Sequence, residues 1–424
     1  MRAIFCVVCL LLVVVASVAQ ASVSQATMLF LAMSPSAQAN GRTVAVLPGS
    51  YDDPLAPWYN PAALGFLARQ SKGSIGFGYV NRIPQFGLRK NLTLTGLAAN
   101  ASLGKLALPQ FLGRRPALYY GVGAHLVSFN LNDSPVTDEQ GHNLGTFRVH
   151  EWVSAISLGV MLDYYVHLAV GGSLKSAHST FAATGSAAVA TEVGASTSMG
   201  DVGALLEIPL LSLVENIRHA RFQAGENLHP DLYASFGYAM TNIGGKVSYT
   251  DLAQADPLPR TARAAFGLTA DLTRYDPVVG PWKMVSLSYG VQGEDELIWR
   301  DASGVSGYIR APFGDMHVVD DLLLGKSNAR IRRLSGGEVT ALEALTVRAG
   351  YYEDPEDALT YHSYGLGLRL SGILKVIHRA PATSPTGFQK ILRHVDVQYD
   401  ACLFDGADRR VSSVPSHLIS VRVN

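Results

Sequence analysis

The side chains able to do chemistry in this sequence are scattered, and none of their groupings has the spacing that a reaction needs. His150-Glu151 sets an imidazole beside a carboxylate, but no second ligand stands near enough for a zinc site. Gly325-Lys326-Ser327 has the closing residues of a phosphate-binding loop, yet the position of the opening glycine is occupied by Asp320. No Gly-x-Ser-x-Gly nucleophile elbow occurs. Gly121-x-Gly123 and Gly365-x-Gly367 lie inside alternating segments and read as strand packing. Asp52 and Asp53 are adjacent acids before Pro54, a pattern typical of a turn. The expectation is therefore no enzyme, no catalytic residue, no metal and no cofactor.

The most informative run is Trp58-Tyr59-Asn60-Pro61-Ala62-Ala63-Leu64. Pro61 fixes one backbone angle and biases Asn60 toward an extended shape. The Asn60 amide can satisfy local backbone groups. Such a run makes a compact segment that is not a strand. It reads either as a plug folded inside the rest of the protein or as an Asn-Pro turn ahead of the first strand. Trp58, Asn60, Pro61 and Ala62 are the candidate site residues, in a structural role.

Something must surround that segment, and the N-terminus says where. Arg2 is followed by an uncharged apolar run from Ile4 to Val18, then by the small-x-small pattern Ala19-Gln20-Ala21. This has the form of a secretory signal peptide, residues 1–21, with the mature chain expected to begin at Ser22. The run is shorter than the roughly 20 residues of a spanning helix. Cys6 and Cys9 lie inside it with no small residue before them, which excludes a lipoprotein site. The remaining Cys402 has no partner for an internal disulfide.

The charged fraction is 16%, below the roughly 25% of soluble domains. The 34 basic and 34 acidic side chains balance, so no net charge attracts nucleic acid. Gly (41) and Tyr (18) are abundant, as suits close-packed strands and an interfacial aromatic belt. After Ala21 no stretch reaches the length of a spanning helix; Val153 to Gly171 is interrupted by Asp163 and His167. A chain integral to a membrane without such a helix must cross as a closed barrel. The alternative is a soluble exported β-protein.

Alternation with a period of two favours strands. Val395, Val397, Tyr399 and Ala401 form one face against His394, Asp396, Gln398 and Asp400. His362-Tyr364-Leu366-Leu368-Leu370, Val285-Leu287-Tyr289-Val291, Ile156-Leu158-Val160-Leu162 and Leu345-Val347-Ala349-Tyr351 are further apolar faces, opposed by Ser, Gly, Thr and Arg. Each segment has about the ten residues of a tilted spanning strand. Other strands are expected near 74–79, 92–103, 118–130, 167–178, 198–208, 232–249, 261–272 and 417–423. Turn clusters such as Asn132-Asp133-Ser134-Pro135, Asp256-Pro257-Leu258-Pro259 and Glu353-Asp354-Pro355 separate them. Residues 208–222 and 316–334 break the pattern and read as short helices in loops. The basic cluster closing the second reads as a solvated face.

The run from Phe30 to Gly41, the Asp52-Asp53 pair and Trp58 to Leu64 resemble the start of the PorV family, within the FadL-like group of outer-membrane barrels. Phe236 to Tyr249 is similar to that family's mid-barrel strand. Leu345 to Tyr352 with Tyr364 to Arg369 is similar to its late hairpin. Arg42-Thr43 and the ending Val421-Arg422-Val423-Asn424 depart from the pattern. The resemblance implies an all-β fold, a transmembrane antiparallel barrel of about fourteen strands spanning 73–424, with 22–72 as an N-terminal plug. It implies a location in the outer membrane, in contact with its lipid. It further implies a part in type IX protein secretion, in which the barrel binds cargo proteins by their C-terminal signal domains and delivers them to sortase and translocon components. No cargo-contacting residue can be named from the sequence. The rival is a FadL-like transporter of hydrophobic small molecules. It calls for an apolar lumen, whereas the inward faces read above are Ser, Gly, Arg, Asp and His. A third reading is an exported structural or adhesive β-protein.

Overall fold

The computed structural model describes residues 26–48, 52–81, 92–137, 140, 142–185, 188–218, 221–250, 255–276, 280–301, 306–326, 328–378, 394–405 and 415–423. The expected signal peptide lies outside the described residues. The strands are β1 (Gly73–Val80), β2 (Leu92–Ala107), β3 (Ala117–Thr137), β4 (Asn143–Asp163), β5 (His167–Gly185), β6 (Ala188–Pro209), β7 (Leu228–Gly244), β8 (Lys246–Val247), β9 (Asp256–Pro257), β10 (Thr261–Asp276), β11 (Gly280–Glu296), β12 (Ile298–Arg300), β13 (Ser306–Tyr308), β14 (Arg332–Ala341), β15 (Leu345–Asp354), β16 (Leu359–Arg369), β17 (Val395–Asp405) and β18 (Ser416–Val423). Among the described residues, fourteen of them close into one antiparallel barrel, and β8–β9 and β12–β13 are small hairpins outside it. Closure is made by β1 and β18, paired from Gly73↔Val423 to Val80↔Ser416.

Strand ends fix the two mouths. The starts of β1, β3, β5, β7, β11, β15 and β17 share one mouth with the end of β18. The β4–β5 and β14–β15 connections there, 164–166 and 342–344, are short, although 210–227 and 370–394 at the same mouth are not; the longest connection, 297–331 between β11 and β14, stands at the other mouth. Short turns mark the periplasmic side of bacterial barrels and long loops the outer side. The wall is uneven. β6 has 22 residues, at ~3.3 Å rise per residue, while β18 has 8.

The expected parity is observed. Ile156, Leu158, Leu287, Tyr289, Val347, Tyr364 and Leu366 all point outward and are exposed. Asp396, Gln398 and Asp400 point inward and are buried. In water such an exterior would be a large exposed apolar surface; in lipid it is the surface the solvent requires. The backbone groups of the wall are paired from strand to strand, as hydrocarbon demands.

Helix α1 (Ala37–Arg42) and helix α2 (Ala63–Gln70) belong to the N-terminal segment, which runs inside the barrel. Ser36 caps α1 by accepting from the Ala39 amide at 3.3 Å. Helix α3 (Leu210–Arg218) and helix α4 (Leu370–His378) follow β6 and β16 at the short-turn mouth. α3 lies within the expected 208–222 helix. A π-helical turn, Val318–Leu323, lies within 316–334. The basic cluster there is not one solvated face: Arg332 begins β14 and pairs with Glu296 at 3.1 Å and Asp354 at 2.8 Å. The strand expected over 232–249 also ends early. Asn242 adopts φ 60° and its amide bonds Asp201, so the ladder stops at Gly244. Helix α4 was not anticipated, because the apolar alternation of β16 runs into it without a break.

Candidate functional site

The described residues of 28–70 pass through the barrel interior. They do so because the wall makes room for a backbone. On β5, a Cβ added to Gly171 would lie 2.5 Å from the Ala62 nitrogen. Gly121 of β3 meets the Leu64 carbonyl, Gly203 of β6 the Asn60 amide, Gly237 of β7 the Val46 carbonyl, and Gly336 of β14 the Arg42 carbonyl in the same way. These inward glycines form a girdle at the level of the segment. At Gly121, Gly171, Gly237 and Gly336 a side chain would collide with main chain, which cannot move aside as a flexible side chain can, and at Gly203 it would collide with the buried Asn60 carboxamide. Gly121 and Gly365 of the two paired-glycine motifs serve this purpose.

Asn60 is fully buried. Its Nδ2 donates to the carbonyls of Ala204 (3.2 Å) and Tyr238 (3.1 Å), and its Oδ1 accepts from the Ala62 amide (3.1 Å). One side chain thus ties β6, β7 and the start of α2 together. Pro61 and Ala62 lie against Gly171. Trp58 donates from Nε1 to the Met33 carbonyl at 3.1 Å, and Lys175 sits 4.3 Å from its ring centroid. Lys175 is itself paired with Asp201 at 2.7 Å, which satisfies both buried charges.

The interior divides into two environments. On the β14–β18 side the level of α1 is ionic, and above it, toward the loop mouth, lies an apolar cluster of Leu334, Tyr352, Tyr361 and Phe404. Arg348 binds Asp400 at 2.7 Å and Glu338 at 2.9 Å, Gln38 of α1 donates to Asp400 at 2.9 Å, and Arg42 lies 3.8 Å from Glu338. Nearer the short-turn mouth, Asp52 receives both Arg369 and Arg422. Asp53, its neighbour, faces away and accepts from Ser36 and from the Leu55 amide. Burial pushes the Asp53 carboxyl up to about 6 despite these bonds. The turn expected of the acid pair is present, but the two acids have opposite surroundings.

On the β1–β6 side, toward the loop mouth, the interior is apolar. Met28, Phe30, Leu31 and Met33 pack against Val80, Leu92, Leu94, Val127, Phe129, Leu131, Val149 and Val153. Phe30 and Phe129 stack with centroids 6.3 Å apart. This overturns the expectation of polar inward faces for this half. The alternation of β3 and β4 reverses its chemistry partway up. Below, the lipid-facing side is apolar and the inward side is mostly small or polar, with Gly121, Gly123, His125, Ser157 and Gly159 beside Met161. Above, Ser128 and Asn130 face out, and Val127, Phe129 and Leu131 face in. A single parity assignment per strand therefore misses the apolar cup; the change of outward residues from Leu126 to Ser128 is the signal that finds it. Between the two environments, a cavity of about 20 Å³, the size of one water, is bounded by Arg42, Leu47, Ser235, Gly290 and Gly336. Among the described residues no cluster of three metal-ligating side chains occurs.

Neither a protein-family model nor a curated protein sequence matches this chain. Among solved structures, the toluene transporter TbuX of Ralstonia pickettii aligns with 92% of this chain and 98% of its own, at 10% identity and TM-score 0.39. The transport unit of the Escherichia coli autotransporter AIDA-I aligns with 89% and 98%, at 8% identity and TM-score 0.39. A Pseudomonas aeruginosa FadL homologue aligns with 90% and 96%, at 10% identity and TM-score 0.34. These likenesses span unrelated uses of a barrel and do not decide between them.

Proposed function

We propose that this protein is an outer-membrane transporter that admits small, uncharged, hydrophobic molecules from the loop mouth into the apolar cup. The observation that carries the reading is the inward cluster around Phe30, Phe129 and Leu131. A water-filled pore has a polar interior. An apolar one is suited to ligands that gain by leaving water, at ~25 cal/mol per Å² of apolar surface buried. The N-terminal segment occupies the cup, so a ligand takes the place of its side chains, and residues 22–72 serve as the plug. The proposal assigns the protein no reaction and no cofactor.

The test is uptake of radiolabelled naphthalene by outer-membrane-bearing cells with and without the protein. Expression is expected to raise the initial rate. Phe129→Asp, which places a charge in the cup, is expected to abolish the gain while leaving the barrel assembled in the membrane. An assembled wild-type barrel that leaves the rate unchanged defeats the proposal.

A second reading has its own observation. Strands β3 to β6 continue past the point where outward residues turn polar, giving a sheet surface outside the membrane for a protein to dock on. That suits a shuttle for secreted proteins bearing C-terminal signal domains, as the family resemblance implies. Recovery of such proteins with the tagged barrel, without any effect on naphthalene uptake, would select this reading instead.

A further inference from the structure

We infer that α4 lies in the plane of the membrane at the short-turn mouth, with its outer face buried among lipid acyl chains. Its inner face is tied down by polar contacts. The Ser371 amide donates to Asp396 at 3.3 Å, Lys375 pairs with Glu343, and Gly372 packs so closely on the 342–344 turn that a Cβ there would meet the Ala344 nitrogen at 2.5 Å. The opposite face carries Leu370, Ile373, Val376 and Ile377, all exposed. At 3.6 residues per turn these four fall on one side of the helix, away from Ser371 and Lys375.

The occupant follows from continuity. The outward residues of β16 are Tyr364, Leu366 and Leu368, and Leu370 continues that row into the helix. Leu368 pairs in register with Leu345, the first residue of β15, which is also apolar and exposed. The lipid-facing surface therefore runs unbroken to the base of α4. The same mouth carries Phe111, Leu112 and Arg114 on the β2–β3 turn, all exposed, with Tyr164 and Tyr165 holding that turn through bonds to the carbonyls of Phe111 and Leu112. Aromatic and basic side chains together mark the headgroup layer. An amphipathic helix at that level buries its apolar face at the acyl boundary.

The experiment uses the full-length barrel in liposomes of phosphatidylethanolamine and phosphatidylglycerol. Cysteine replaces Ile373, Ile377 or Lys375 in turn, in a Cys402→Ala background, and each variant carries a nitroxide spin label. Resistance of the assembled barrel to unfolding in detergent, seen as a heat-dependent gel shift, verifies that each is folded. Molecular oxygen is expected to relax the labels at 373 and 377 more strongly than a water-soluble nickel chelate does, with the order reversed at 375. Strong relaxation by nickel at 373 and 377 would show a solvated helix and overturn the inference. Weak relaxation by both reagents there would overturn it too, by showing protein cover, either from a second copy or from residues 379–393.

Discussion

The two halves of the barrel interior grip the same N-terminal segment by different physics. On the β14–β18 side, Arg348, Asp400, Glu338 and Gln38 form a buried network of directional bonds. On the β1–β6 side, the side chains of Phe30 and its neighbours pack in an apolar cluster. A buried ion pair tolerates no substitute for its partner, because the charge left behind is uncompensated. An apolar contact is satisfied by any apolar surface of suitable shape. The ionic half therefore holds the segment in one place, and under the proposed function the apolar half is where a ligand displaces part of it. The exchange needs no loss of the ionic anchor.

The largest expected effect tests whether the segment is seated by the wall at all. Gly171→Val puts methyl groups into the main chain at Ala62 and should prevent residues 58–66 from docking, exposing them to protease in the assembled barrel. Gly172→Val, one residue along and facing out, has its nearest neighbour at 3.5 Å and should leave protection unchanged. Equal protease sensitivity in both variants would mean that the segment does not depend on the girdle.

Next comes the ionic half. Arg348→Met strands Asp400 and Glu338 and should destabilise the barrel by about 3–5 kcal/mol, the usual range for breaking a buried pair, read as a lowered midpoint of heat-dependent gel mobility. Leu94→Met, a volume-conserving apolar swap in the other half, should cost less than about 1.5 kcal/mol; a shift as large as that of Arg348→Met would erase the contrast drawn above. The smallest effect is at the seam. Asn60→Ala removes two donated bonds and one accepted bond and should cost about 1–3 kcal/mol, because the carbonyls of Ala204 and Tyr238 stay buried without their donor. Its uptake phenotype sharpens the comparison: loosening the segment should raise naphthalene entry, whereas Phe129→Asp should stop it.

Much of the wall was legible in sequence. Val395 to Asp400 alternates strictly because one face meets lipid and the other meets polar partners, and no packing detail is needed to see it. The strand lengths of β3 to β6 were legible only in part. Beyond Leu126 and Ile156 the outer face leaves lipid, so its residues become polar and the alternation fades or inverts. The candidate residues Trp58 and Asn60 stood out because Asn-Pro has a strong local preference. Their partners, Met33, Ala204, Tyr238 and Lys175, are 25 to 178 residues away along the chain, and no local pattern could have named them.

Sequence alone determined that this chain makes strands with an apolar face, interrupted by turns, after a segment that cannot be a strand. Those properties follow from local backbone preference and from which solvent each face must meet. Only the tertiary structure decided that the inward glycines stand level with one another, that an ionic network at the level of α1 and an apolar cup toward the loop mouth line different parts of the interior, and that the described residues of 28–70 fill the space between. Each of these depends on which strands become neighbours when the sheet closes on itself. Closure is a property of the whole ring, so no single strand carries it.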